Sequence, residues 1–104
     1  MTRIEPAFAA IRERRRPGLI AYITAGYPTS DATLELVPAI VDAGADLIEL
    51  GVPFSDPLAD GATIQRSTQH ALEGGVTLAG CLDLVSALRK RGVEAPLILM
   101  GNWQ

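Results

Sequence analysis

Three carboxylates fall close together in one stretch of the chain, "ADLIELGVPFSDPLADG", residues 45–61. Glu49 lies in the middle of an apolar run that has the composition of a buried strand, and Asp56 and Asp60 lie in the segment after it. An acid inside a strand is costly unless another group satisfies it or catalysis uses it. Glu49 is therefore either a carboxylate held by backbone donors or a cation, or a group that transfers protons, and the sequence supports the two interpretations about equally.

Apolar residues at matching positions of the neighbouring segments predict a pocket beside Glu49. Tyr22 and Met100 lie near the ends of two other apolar runs, and Ile64 follows the acidic loop. Each of them is more often a core residue, but together they could line a flat apolar pocket. Such a pocket disfavours the charged form of an acid, which suits the acid to proton transfer. Asp60 has a simpler alternative role as the N-cap of the following helix.

The periodicity of the chain predicts the elements that position these residues. Three apolar runs, "LIAYITAG", "DLIELGVP" and "PLILMG", are typical of strands covered on both faces. Between the first two lies one helix, with Ser30 or Asp31 as N-cap and Pro38 as a source of bending. Two helices follow the second run, the first starting near Asp60 and the second capped by Thr77. In that last helix the residues expected to face the core are Leu78, Cys81, Leu82, Val85 and Leu88.

This order of elements predicts an α/β fold with a parallel sheet and right-handed crossovers. Two architectures share it: a small open doubly wound sheet, and the N-terminal βαβαβ portion of a (β/α)8 TIM barrel. In a barrel Glu49 would point inward near the C-terminal rim of its strand, where catalytic groups cluster. A closed barrel needs about 250 residues, so we expect residues 1–104 to form a single partial, incomplete barrel domain.

Composition narrows the classes of function. The chain is 48% hydrophobic and 20% charged with a net charge of -3, so it lacks the basic excess of a nucleic-acid-binding protein. A single cysteine, and the lack of a signal peptide or of an apolar run of about 20 residues, predict a cytoplasmic protein with no membrane partner. His70 has no acidic or thiol partner at ligand spacing, so no metal site is expected. No glycine-rich phosphate motif occurs, which weakens a third alternative, a nucleotide or phosphate binder.

Three segments carry a specific likeness to a known family. The stretches "LIAYITAGYP", "AGADLIELGVPFSDPLADGATIQ" and "PLILMG" resemble the N-terminal part of the tryptophan synthase alpha chain family, through the third strand of its barrel. The resemblance implies a (β/α)8 barrel that cleaves indole-3-glycerol phosphate to indole and glyceraldehyde 3-phosphate, a retro-aldol step in tryptophan biosynthesis. It also implies that the alpha chain needs no cofactor or metal, because pyridoxal phosphate belongs to the partner beta chain.

The resemblance also suggests roles for individual residues. Glu49 is similar in position to the proton-transferring acid/base, and Asp60 to the carboxylate that steadies the indole N–H. The positions that resemble the family's substrate pocket are Tyr22, Ile64, Met100 and Asn102, the last standing where a tyrosine is frequent. In the family, the loop with Pro53 and Asp56 faces the beta chain.

The chain departs from the family in length. Family members have the length of a full barrel, and the phosphate site of such barrels comes from loops after late strands. We therefore expect this chain to be inactive or very weak when isolated. Unpaired strands and an uncovered sheet face invite pairing with another chain, so we also expect self-association. The alternative function is a non-catalytic or engineered barrel fragment that self-associates.

Overall fold

The computed structural model describes residues 2–53 and 61–101, so Asp56, Asp60 and Asn102 lie outside the described residues. The elements follow the predicted order of one helix, a strand, a helix, a strand, two helices and a strand. They are α1 (Ile4–Arg14), β1 (Ile20–Thr24), α2 (Ser30–Asp42), β2 (Leu47–Gly51), α3 (Ala62–Glu73), α4 (Leu78–Lys90) and β3 (Leu97–Met100).

The three strands form a parallel sheet, as the sequence predicted, and their order in it is β1-β2-β3. The core lies between the sheet and helices α2 and α4, where Ile48 and Leu50 of β2 are fully buried with Val37 and Leu88. Since side chains alternate along a strand, Glu49 points to the other face of the sheet. That face is called the inner face below, and the predicted alternation along β2 is confirmed.

Helix α2 begins one or two residues earlier than the sequence suggested. Thr29, with extended backbone, is the N-cap, and its hydroxyl accepts a hydrogen bond from the backbone N–H of Ala32 at 3.0 Å. The predictions of Ser30 or Asp31 as N-cap are therefore wrong, because both residues already belong to the first turn of the helix. Pro38 lies inside α2 without ending it.

The starts of the next two helices test two further predictions. Helix α3 begins after Gly61, whose extended backbone makes it the N-cap, so the simpler role of Asp60 as N-cap is wrong. Thr77 caps α4 as predicted, accepting from the backbone N–H of Gly80 at 3.0 Å.

Helix α4 packs through a narrower stripe than predicted. Cys81 and Leu88 are fully buried, and Leu84 joins them at 6% exposure. Leu78 and Leu82 are instead 53% and 52% exposed, so their prediction as core residues is wrong. At 100° per residue they lie roughly a quarter turn or more from the centre of the buried stripe.

None of the helices in the described ranges is both long and apolar enough by itself to cross a membrane. Taken together α3 and α4 reach the length and composition of one span, but they meet at an angle of 97°.

Candidate functional site

Strand β2 holds Glu49 at the centre of the inner face. In the strand register Glu49 lies between Tyr22 of β1 and Ile98 of β3. The next row along the sheet consists of Thr24, Gly51 and Met100. Glu49 is only partly buried, whereas its neighbours Ile48 and Leu50 are fully buried. The strand thus presents one acid in a mostly apolar surface.

An apolar cavity of about 250 Å³ lies beside β1 at the carboxyl end of the sheet. Tyr22 and Ile64 line it together, and Thr24, Tyr27 and Ser67 complete part of its wall. The structure therefore brings together two of the residues predicted to form a pocket, although they are 42 positions apart in the sequence. Their roles toward a substrate stay predictions.

The structure does not place the other predicted site residues in the wall of this cavity. Met100 lies on the inner face, two strands from β1, where it is 42% exposed and does not line the cavity. Pro53 lies two residues after the end of β2 and is buried. Asp56, Asp60 and Asn102 fall outside the described residues, so their predicted roles stay predictions.

Two hydroxyl groups that the sequence analysis missed connect α3 to β1. Thr24, at 5% exposure, and Ser67 of α3 lie with their oxygens 2.6 Å apart. The Ser67 hydroxyl donates to the carbonyl oxygen of Ile64 at 2.9 Å, so Thr24 is the donor in the first bond. Serine and threonine are too common on helices and strands to signal such a pair in advance. The pair holds Ile64 near the wall of the cavity.

An aromatic contact lies at the border of the cavity, where Tyr27 forms part of the wall. The rings of Tyr27 and His70 meet edge to face with centroids 5.2 Å apart. His70 itself is exposed, as predicted. Across residues 2–53 and 61–101, no three His, Cys, Asp or Glu side chains are grouped as a metal site would require.

The chain matches the family model described as "Tryptophan synthase alpha chain" over residues 8–104. The curated alpha chain of Chloroflexus aggregans is 60% identical over 103 residues, which are 99% of this chain and 39% of that protein. The alpha chain of Burkholderia thailandensis is 54% identical, over 97% of this chain and 37% of that protein. The chain therefore spans 37% to 39% of the length of these two relatives.

Solved structures agree with the sequence comparison. The alpha subunit of tryptophan synthase from Legionella pneumophila superimposes with a TM-score of 0.93 at 42% identity, over 97% of this chain and 38% of that one. A structure of tryptophan synthase from Mycobacterium tuberculosis in its aminoacrylate-bound form gives 0.89 at 39% identity, over all of this chain and 42% of that one.

These matches decide between the two architectures: the fold is the N-terminal βαβαβ portion of a (β/α)8 barrel and not a doubly wound sheet. In this family the alpha chain works without a cofactor, and pyridoxal phosphate belongs to the beta chain. The chain belongs to the tryptophan synthase alpha chain family, and it corresponds to the N-terminal part of its members.

Proposed function

We propose that this chain supplies the acid-bearing side of a lyase site that cleaves indole-3-glycerol phosphate to indole and glyceraldehyde 3-phosphate in tryptophan biosynthesis. The observation that carries the proposal is the position of Glu49 on the inner face of β2, in register with Tyr22. Tyr22 in turn shares an apolar cavity with Ile64. Membership of the alpha chain family supplies the substrate class.

The proposed cleavage is a retro-aldol step that needs proton transfers but no oxidant or reductant. A proton reaches C3 of the indole ring, the hydroxyl on the attached carbon loses its proton, and the carbon-carbon bond between them breaks. The electron pair of that bond returns to the ring, and the hydroxyl-bearing carbon becomes the aldehyde of glyceraldehyde 3-phosphate. In this scheme Glu49 transfers protons. The carboxylate of Asp60 accepts a hydrogen bond from the indole N–H as positive charge develops on the ring.

The remaining predicted residues complete the proposal. Tyr22, Ile64 and Met100 hold the flat ring through apolar contact, and Asn102 lies at the pocket's rim. Pro53 and Asp56 belong to the loop that faces the beta chain, which would receive indole in the cytoplasm. The buried position of Pro53 suits a residue that fixes the direction of this loop more than one that contacts a partner directly.

The decisive variant is Glu49→Gln, which keeps the shape of the side chain and removes its ability to take up a proton. Because the chain spans about 39% of its relatives, the assay uses a chimera in which residues 8–104 replace the matching segment of the Chloroflexus aggregans alpha chain. We expect Glu49→Gln to lower kcat for indole release by about 10²–10⁴-fold, with KM within about threefold of its original value.

A matched control is Glu35→Gln, which alters an exposed glutamate of α2 in a surface ion pair with Arg91. It should leave kcat and KM unchanged, since exposed ion pairs contribute little. An active chimera whose kcat is insensitive to Glu49→Gln would contradict the role of Glu49. A folded chimera without activity would contradict the proposed function as a whole.

A second candidate function, a non-catalytic barrel fragment that self-associates, is favoured by the exposure of the inner face. Ile20, Tyr22 and Met100 lie on this face and are 46%, 36% and 42% exposed. The 104-residue chain can also be assayed without the rest of the barrel. We expect it to release indole far more slowly than the chimera, since the phosphate site of such barrels comes from loops after late strands.

A further inference from the structure

Gly51, the last residue of β2, lies directly beneath the ring of Tyr22. A Cβ atom built on Gly51 would fall 1.8 Å from the Tyr22 hydroxyl oxygen, 2.5 Å from Cζ and 3.1 Å from Cε2. The first two distances are far below any van der Waals contact. The Tyr22 side chain therefore fits in its observed position only because residue 51 has no side chain.

Backbone conformation gives no other reason for this glycine. Gly51 lies in a regular strand and is not among the glycines with positive φ, which are Gly26, Gly44, Gly75 and Gly92. A glycine inside a strand weakens it and often marks a site where another group approaches closely. Here the approaching group is the phenol of Tyr22, so the requirement at position 51 is one of space.

The geometry also explains which way the ring leans. Tyr22 is the register partner of Glu49, whereas Gly51 is the partner of Thr24, one row further along the inner face. The ring therefore leans diagonally from β1 across β2, toward the carboxyl end of the sheet. The strand register thus places Tyr22 beside Glu49, the end of its ring lies over Gly51, and Tyr22 is at the same time a wall of the apolar cavity.

We propose that Gly51 is a positioning residue of the site: its missing side chain fixes the Tyr22 ring across β2, and thereby sets how an aromatic substrate lies against Glu49. This inference rests on the proposed function. A methyl group at position 51 must push the ring away from β2. Displacements of about 1 Å in a positioning group can lower a rate by up to about 100-fold.

The first test concerns geometry and needs no activity. In the NMR spectrum of the 104-residue chain, the two Hα protons of Gly51 should be shifted by the ring current of Tyr22. The Tyr22→Leu variant has no aromatic ring, and its side chain is too short to reach Gly51. It should therefore remove this shift. Hα shifts of Gly51 that do not respond to Tyr22→Leu would overturn the inference whatever the enzyme does.

The second test is a double-mutant cycle in the chimera described above. Gly51→Ala should lower kcat for indole release about 10-fold or more, because the ring no longer lies in place beside Glu49. In the Tyr22→Leu background the same change should alter kcat less than about twofold, since no ring remains to be displaced. A purely structural role for Gly51 in the strand would lower kcat equally in both backgrounds, and that result would overturn the inference.

Folding is recorded for every variant by circular dichroism and thermal unfolding. If Gly51→Ala does not fold, the test compares the Tyr22→Leu variant with the double variant that carries both changes. Equal kcat values in these two variants support the inference. A large loss of kcat in the double variant overturns it. An inactive parent chimera would refute the proposed function and leave the NMR result to decide the geometry of Gly51 and Tyr22.

Discussion

At the level of single residues, Asp46 joins the N-terminal ends of two strands to α1. One carboxylate oxygen accepts from the guanidinium of Arg14, and the other accepts from the backbone N–H of Leu19 at 2.8 Å. The backbone N–H of Asp46 donates back to the carbonyl oxygen of Leu19, also at 2.8 Å. The two bonds to the carboxylate, first that from Arg14 and then that from the Leu19 N–H, hold the pKa of Asp46 below its usual value of 3.8.

This arrangement predicts a pH-dependent contribution of Asp46 to stability. Because the folded-state pKa is lowered, the contribution is fully present above the unfolded-state pKa and is lost as pH falls through the folded-state pKa. We expect Asp46→Asn to lower the free energy of unfolding by about 1–3 kcal/mol at pH 7. The difference between the two proteins should shrink as the pH falls below 3.8. Urea unfolding at a series of pH values measures it.

Asp83→Asn is the matched control, since Asp83 lies exposed on α4. Its effect on the free energy of unfolding should be small, since its side chain is exposed. A penalty for Asp46→Asn that stays constant down to the acid limit would show that the carboxylate's charge is not what stabilises this junction.

The sequence predicted where the main residues of the site lie better than it predicted the contacts that support them. Glu49 and Tyr22 were placed correctly because strand periodicity decides which face a side chain occupies. Ile64 was found because a helical period brings it toward the same end of the sheet. Gly51 and the Thr24–Ser67 pair were not predicted, since a close contact between distant residues leaves no periodic signal in the sequence.

At the level of elements, α3 is held against β1 by the hydrogen bond between Thr24 and Ser67. Ser67→Ala leaves the nearly buried Thr24 hydroxyl without this acceptor, at a cost of about 1–3 kcal/mol. We expect the backbone amides of α3 to exchange hydrogen faster in this variant, while those of β2 keep their protection. Hydrogen exchange followed by mass spectrometry or NMR measures both elements in one experiment.

Ser86→Ala provides the control, because Ser86 is an exposed serine of α4. It should leave exchange in α3 unchanged. If Ser67→Ala raises exchange equally in α3 and β2, the variant lowers global stability and the Thr24–Ser67 bond has no special role in docking α3.

Helix α2 shows why local rules predicted the elements but not all of their details. Pro38 was expected to remove one backbone hydrogen bond and to bend the helix. The carbonyl oxygen that this proline cannot bond, that of Leu34, accepts instead from the guanidinium of Arg91 at 3.2 Å. Arg91 lies 57 positions away from Leu34 at the end of α4. A local pattern predicts the lost bond, whereas only the packed structure reveals its replacement.

At the level of the whole molecule, helices cover one face of the sheet, whereas the other face leaves apolar side chains exposed. The outer face packs against α2 and α4, and its core residues Ile48 and Leu50 are fully buried. The inner face leaves Ile20, Tyr22 and Met100 between 36% and 46% exposed. Within the residues that the structure describes, β1 and β3 each pair with another strand on one side only. Open strand edges next to an apolar face favour association with another chain.

We therefore expect the 104-residue chain to self-associate through its inner face. Light scattering at increasing concentration should give a mass of at least twice the 11.0 kDa of one chain.

Ile20→Lys places a charge on the inner face and should shift the mass toward that of a monomer. Leu78→Lys makes the same change at a residue of α4 that is even more exposed, at 53%, but lies away from the sheet's inner face. This control should keep the assembled mass. A well-ordered chain that is strictly monomeric at all concentrations would refute self-association, and equal effects of the two lysine variants would place the contact elsewhere on the molecule.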